Sequence, residues 1–246
     1  MTVALLCLLG VVALAAFATE GAIGFGGTVL AASIGAQLVP LEVLLPAFVP
    51  LNIALSTWLL ASGVREVAWR YLATHVAPAV AVGAAIGLAL FHVQGKTVLS
   101  LVFGIFVVVL AALQLAKPAA RPLGGVVRIG LLVLGGVAHG LFGTGGPMIV
   151  YVVRRQLPDK KAFRATLAVL WLVLNTALLV NFAGSSLYGR EVAITGGVLA
   201  FAIVPGLVIG ERLHRKLDPA RFERVVWILL LVAGTALAVR SAINLA

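Results

Sequence analysis

Glu20-Gly21-Ala22-Ile23-Gly24-Phe25-Gly26-Gly27-Thr28 and His139-Gly140-Leu141-Phe142-Gly143-Thr144-Gly145-Gly146-Pro147 are two copies of one glycine-rich pattern. Gly21, Gly24, Gly26 and Gly27 fall in register with Gly140, Gly143, Gly145 and Gly146. Both copies interrupt long apolar runs. Glycine is unfavourable inside a helix because its backbone loses the most freedom there. A cluster of glycines at membrane depth therefore marks a break, and such a break is tolerated only where it faces protein or a water-filled cavity.

The membrane assignment follows from composition. Apolar residues make up 62% of the 246 residues and charged residues 11%, with a mean hydropathy of +1.17. A soluble domain of this size could not cover its surface with so few charges. The net charge of +10 does not indicate nucleic acid, because the basic residues cluster at the ends of apolar runs, as membrane topology requires. Cys7 is the one cysteine, which rules out an internal disulfide. Ala15-Ala16-Phe17-Ala18 has the look of a signal-peptide cleavage site, but no Lys or Arg precedes the apolar stretch. Residues 1–19 are expected to stay as the lead-in to the first glycine motif, as residues 126–138 lead into the second.

The repeat extends past the motifs. At a shift of 123, Leu51-Asn52 aligns with Leu174-Asn175, Ala54 with Ala177, Gly83 with Gly206 and Gly87 with Gly210. This divides the chain into a first repeat at 1–116, a linker at 117–125 and a second repeat at 126–246. Each repeat holds a glycine-broken hairpin and three apolar spans, at 42–62, 71–91 and 97–116, then 165–183, 192–210 and 225–243. Spans of about 20 residues match a hydrocarbon core of about 30 Å. After Gly146 only Pro147 to Val153 precede Arg154-Arg155, and such a segment rises only about 10 Å as a helix. Thr28 to Val39 is also short. Each hairpin is expected to enter the membrane, break at the glycines and return; a full first helix followed by a short tilted one is the alternative.

Fifteen of the eighteen Lys and Arg residues lie in four segments: 63–71, 117–128, 154–164 and 211–224. Counting spans, all four fall on one side together, and the positive-inside rule makes that side cytoplasmic. Both termini then face outward. Corresponding loops of the two halves lie on opposite sides, so the halves are related by inversion, a plan common among secondary transporters. The expected fold is an all-α polytopic membrane protein built from two inverted repeats.

Inversion brings the hairpin tips together near the bilayer midplane, where the returning segments start at Thr28 and Pro147. Proline suits a first helical turn, where its missing N–H would be unpaired anyway. Helix N-termini present free N–H groups and about half a positive charge, so two of them facing one cavity make an anion site without a buried Lys or Arg. Gly24, Phe25, Gly26, Gly27 and Thr28, with Gly143, Thr144, Gly145, Gly146 and Pro147, are the expected substrate-binding positions. Tight helix packing is the competing role for the glycines.

Glu20 and His139 head the two motifs at equivalent places. Ionisable groups within a membrane protein are costly and often functional, and both types can carry a proton, so they are the expected proton-coupling residues. Their alternatives are an interfacial glutamate and a structural histidine. Asn52 and Asn175 lie mid-span at matched positions, where an amide can donate to an oxyanion or bridge helices. His75 and Pro78 share a span and read as a kink with a structural histidine. Trp69, Tyr71, Tyr151 and Tyr188 read as interfacial anchors.

The duplicated G-x-x-G-x-G-G motif, the Leu-Asn pair in each half and Asp218-Pro219 resemble the TauE/SafE family of sulfite and organosulfonate exporters over nearly the whole chain. The resemblance implies export of a small sulfur-containing anion, or a related carboxylate, across a bacterial inner membrane. It places the substrate at 20–28 and 139–147. The second motif ends Gly-Gly-Pro where the first ends Gly-Gly-Thr, which leaves open whether both halves contact substrate equally.

A secondary anion transporter working by alternating access is the reading these features support. A membrane-embedded lipid-phosphate enzyme would need acid–base or nucleophilic groups within reach of one another, and neither paired carboxylates nor a serine–histidine motif is present. No catalytic residues, metal ligands or cofactor are expected, and no ATP-binding loop occurs. A passive anion channel is the other alternative, which coupling to protons would exclude.

Overall fold

A computed structural model of the chain describes residues 2–23, 27–61, 63–93, 95–116, 124–144, 146–216 and 219–245. Every regular element among them is helical. Helices α1 (Val3–Ile23) and α2 (Gly27–Gly35) form the first hairpin, and α3 (Leu41–Ala61) follows. After a 3-10 turn at Val64–Glu66 comes one continuous helical run. It starts as α4 (Trp69–Tyr71), passes through a π-helical turn at Leu72–Val76 and continues as α5 (Ala77–Val93). Then come α6 (Lys96–Ala116), the second hairpin α7 (Gly125–Phe142) and α8 (Gly146–Gln156), and the long helices α9 (Lys160–Gly184), α10 (Arg190–Lys216) and α11 (Pro219–Ile243).

In lipid every backbone N–H and C=O must be paired within its own segment, which is why these apolar runs are helices. Among the described residues eight helices are long and apolar enough to cross a membrane: Val3–Glu20, Leu41–Ala61, Trp69–Val93, Thr97–Ala116, Gly125–Phe142, Lys161–Gly184, Arg190–Leu213 and Arg224–Ile243. Six are the spans expected from sequence. The other two are the first arms of the hairpins, whereas α2 has 9 residues and α8 has 11. By length and composition the hairpins therefore fit a full first helix followed by a short one, not two arms that both stop midway. Lys117, Arg121 and Asp218, read from sequence as linker and loop residues, lie outside the described residues.

The chain forms two compact units, each drawn from both halves of the sequence. One contains residues 1–47, 94–120 and 188–246; the other contains 48–93 and 121–187. In the first unit α1 packs along α10, and α6 along α11. The Gln37 amide donates to the Ala233 carbonyl at 3.3 Å, and the Arg240 guanidinium donates to the Gln37 carbonyl at 2.9 Å, tying the end of the first hairpin to α11. In the second unit α5 packs along α7, and Thr166 Oγ1 accepts from the Ala68 amide at 3.0 Å. Val76, Val80, Leu132, Ile149 and Val153 form its sealed core. Asp159 starts α9 by accepting from the Ala162 amide at 2.7 Å, the usual role of an N-cap carboxylate.

The α5–α7 contact is a glycine zipper. A methyl group on Gly83 would land on the Val133 carbonyl, with the Val137 amide 2.9 Å away. Methyl groups on Gly87, Gly136 and Gly140 would strike the carbonyls of Val137, Val80 and Ala84. In lipid, such close backbone approach supplies the van der Waals attraction that holds helices together. The α1–α10 pair uses the same device at matched positions. A methyl on Gly206 would meet Phe17 Cβ at 2.6 Å, the Leu14 carbonyl at 3.1 Å and the Ala18 amide at 3.2 Å. Leu14 and Ala18 stand to the first motif as Val133 and Val137 stand to the second, and Gly206 stands to Gly83 at the sequence shift of 123.

Candidate functional site

The second hairpin breaks at a defined place. α7 ends at Gly143, whose φ of 62° is left-handed and whose amide donates to the His139 carbonyl at 2.7 Å. That conformation is open to glycine at no steric cost. α8 starts three residues later with Pro147 buried in its first turn and Arg154 and Arg155 in its last. This charge placement suits the helix dipole at the C-terminal end. Arg155 lies 4.3 Å over the Tyr151 ring and donates to its hydroxyl at 2.8 Å, which fits Tyr151 as an anchor at a span end.

His139 is 2% exposed on the last turn of α7. Neither of its ring nitrogens has a hydrogen-bond partner among the described residues. Its ring stacks on Trp171 of α9, with centroids 5.5 Å apart and planes 15° from parallel. One turn on, Asn175 is 3% exposed. Its Nδ2 donates to the Trp171 carbonyl at 2.8 Å, and its Oδ1 has no partner among the described residues. Buried polar atoms are normally paired, so three unpaired ones among the described residues, on two side chains that both meet Trp171, are unusual.

At the break a methyl group would make only ordinary contacts. A Cβ on Gly146 would lie 3.9 Å from Trp171 Cζ2, and one on Gly143 would lie 4.0 Å from Leu178 Cδ1. Trp171, Asn175 and Leu178 follow at i, i+4 and i+7 and so form one stripe of α9. Asn175 lies along that stripe between the two residues that such methyl groups would meet. Thr144 is also buried, at 5% exposure. Of the residues singled out from sequence, the structure gathers His139, Gly143, Thr144, Gly146, Pro147 and Asn175 here. Trp171 belongs to the group and was missed; its only sequence signal is its place one turn before Asn175.

The first motif is packed differently. A methyl on Gly27 would lie 2.5 Å from both the Ala16 carbonyl and Glu20 Oε2, so Gly27 serves the contact between the two arms of the first hairpin and lies against the Glu20 side chain. Glu20 and Thr28 are half-buried, as is Asn52 on α3. Gly24, Phe25, Gly26 and Gly145 lie outside the described residues. His75 sits in the π-helical turn just before Pro78, its Nδ1 2.6 Å from Thr74 Oγ1 and its ring stacked on Tyr71, contacts that suit a structural histidine. The Tyr71 hydroxyl is buried rather than turned to an interface. A groove of about 700 Å³ along α11 contains none of the expected site residues; its mainly apolar walls, such as Leu231, Val232 and Val239, fit a lipid-facing surface.

A family model described as Sulfite exporter TauE/SafE matches residues 8–237. The chain belongs to the TauE/SafE family. It is 30% identical over 176 residues to the probable inner membrane transporter protein TsaS of Comamonas testosteroni, covering 70% of this chain and 73% of that protein. It is 26% identical over 227 residues to the probable sulfite/organosulfonate exporter TauE of Cupriavidus necator, covering 90% and 88%. No solved structure matches the chain. TauE/SafE proteins are membrane transporters and not enzymes, and the eight apolar helices make this member a multi-pass membrane protein.

Proposed function

We propose that this TauE/SafE protein is a secondary transporter that exports a small sulfur oxyanion or organosulfonate across the bacterial inner membrane. The anion binds at the glycine breaks and crosses by alternating access between two inverted halves. The basic loops are cytoplasmic and both termini external. The single observation that carries the reading is the set of buried polar groups near the second break that have no partner among the described residues: both ring nitrogens of His139 and Oδ1 of Asn175. They lie beside the start of an 11-residue helix, whose free amides and positive dipole end favour an oxyanion.

The matched contacts of Gly83 and Gly206 support the repeat, because each places a later span against the first arm of the opposite half's hairpin. Duplication with inversion is the usual architecture for alternating access. Glu20 and His139 are the two ionisable groups at the breaks and would carry the coupling proton. The names of the relatives, which include sulfite and organosulfonate, supply the substrate class.

The test is uptake of sulfite, sulfoacetate and sulfate by proteoliposomes holding the purified chain, with and without an imposed pH gradient. Gradient-driven uptake of one anion supports a proton-coupled carrier. Equal downhill leakage of all three would replace it with a channel.

A further inference from the structure

Resting on the anion site just proposed, we infer that the second glycine break selects oxyanions that also carry an O–H or N–H donor, and that Asn175 Oδ1 is the atom that recognises that donor. The orientation of the amide is fixed. Nδ2 donates to the Trp171 carbonyl at 2.8 Å, and a carbonyl can only accept. Turning the amide over would set oxygen against oxygen. What Asn175 leaves unpaired among the described residues is therefore an acceptor, buried at 3% exposure, and it sits on the α9 stripe between Trp171 and Leu178, the residues that a methyl on Gly146 or Gly143 would meet.

A substrate with acceptors alone leaves this oxygen unmet or repels it. Sulfate, or a simple alkanesulfonate, has nothing to donate. A hydroxyalkanesulfonate, an aminoalkanesulfonate or hydrogensulfite in its O–H form has both ends: its oxyanion accepts from the first amides of α8 and from an imidazole N–H of His139, while its own O–H or N–H donates to Asn175 Oδ1. The Trp171 ring, stacked on His139, holds the imidazole plane in place for this. A site built to pair a substrate hydroxyl rejects an analogue lacking it far more strongly than an apolar pocket rejects an extra methylene, because the buried group is left unpaired.

The experiment uses the full chain in proteoliposomes and measures competition against sulfite uptake by isethionate and by propane-1-sulfonate, which have the same number of heavy atoms and differ in the terminal hydroxyl. The expected result is half-inhibition by isethionate at a concentration at least about tenfold lower, and loss of that preference in Asn175→Leu. Equal inhibition of the wild type, which needs no variant to fold, would overturn the inference and leave the proposed function standing. So would sulfite uptake that neither sulfonate inhibits. A preference that survives in Asn175→Leu would overturn the assignment to Asn175. Uptake of no anion at all would overturn the proposed function and the inference with it.

Discussion

His139 and Trp171 stack with their ring centroids 5.5 Å apart, joining the last turn of α7 to α9 beside the second glycine break. Stacked aromatic pairs contribute about 0.5–1.5 kcal/mol beyond their burial. The stack also fixes the plane of a ring whose two nitrogens have no other partner among the described residues. Trp171 thus positions His139, while the Gly146 backbone passes close to the same indole.

If this positioning matters for transport, Trp171→Phe should keep most of the activity and Trp171→Ala should not. The alanine variant is expected to raise KM by about two- to thirteenfold, the range that 0.5–1.5 kcal/mol corresponds to, with a smaller change in maximal rate. Initial uptake rates over a range of sulfite concentrations, normalised to folded protein in the liposomes, separate the two. Equal KM in all three proteins would remove Trp171 from the site.

The two residues that open the break call for different substitutions. Gly143 has a left-handed φ of 62°, so an alanine there costs about 1–2 kcal/mol whatever the space around it. Gly146 is not left-handed, and its nearest neighbour would be 3.9 Å from an added methyl, an ordinary contact. Gly143→Ala should lower the melting temperature in detergent, and Gly146→Ala should leave it nearly unchanged. Gly146→Leu should abolish uptake by filling the approach to the α8 amides. A Gly146→Leu protein that folds and transports normally would show that the anion does not bind there.

Packing glycines should rank by what a methyl group would meet. At Gly83 it meets backbone on α7, which cannot yield without separating the helices. At Gly206 the nearest atom is Phe17 Cβ, with backbone beyond 3 Å. At Gly130 nothing lies within 4 Å, and alanine there should stabilise α7 by about 0.5–1 kcal/mol through helix propensity. The expected order of melting temperature is Gly130→Ala above wild type, then Gly206→Ala, then Gly83→Ala. Thermal unfolding followed by size-exclusion fluorescence reads all three.

This ranking also shows what the sequence could and could not reveal. Six spans were legible because a bilayer demands about 20 apolar residues, and six of the eight long helices among the described residues fall on those runs; the other two are the first arms of the hairpins. The second break was legible because clustered glycines are unfavourable inside a helix and Pro147 suits the first turn of a new one. The division of labour among the glycines was not: Gly27 and Gly140 pack against backbone, while a methyl on Gly143 or Gly146 would make only an ordinary side-chain contact, and only the neighbouring helices decide which. The Asn175 amide was legible as a polar group at span centre, but its free end was not, since the choice is made by the Trp171 carbonyl one turn back. Nor does sequence order reveal that each compact unit mixes elements of both halves.

Proton coupling is separable by substitution at the two motif heads. Glu20 lies against Gly27 on the first hairpin, and His139 lies at the second break. Removing the titratable group while keeping its size removes the proton and little else, so Glu20→Gln should leave downhill sulfite uptake intact and abolish the extra uptake driven by an imposed pH gradient. His139→Gln keeps a donor and an acceptor at the site but no titratable group. If the coupling proton resides on Glu20, His139→Gln should change KM and keep the gradient response; if it resides on His139, the two results exchange. A gradient response that survives in both variants, and in the double variant, would place the proton on neither residue.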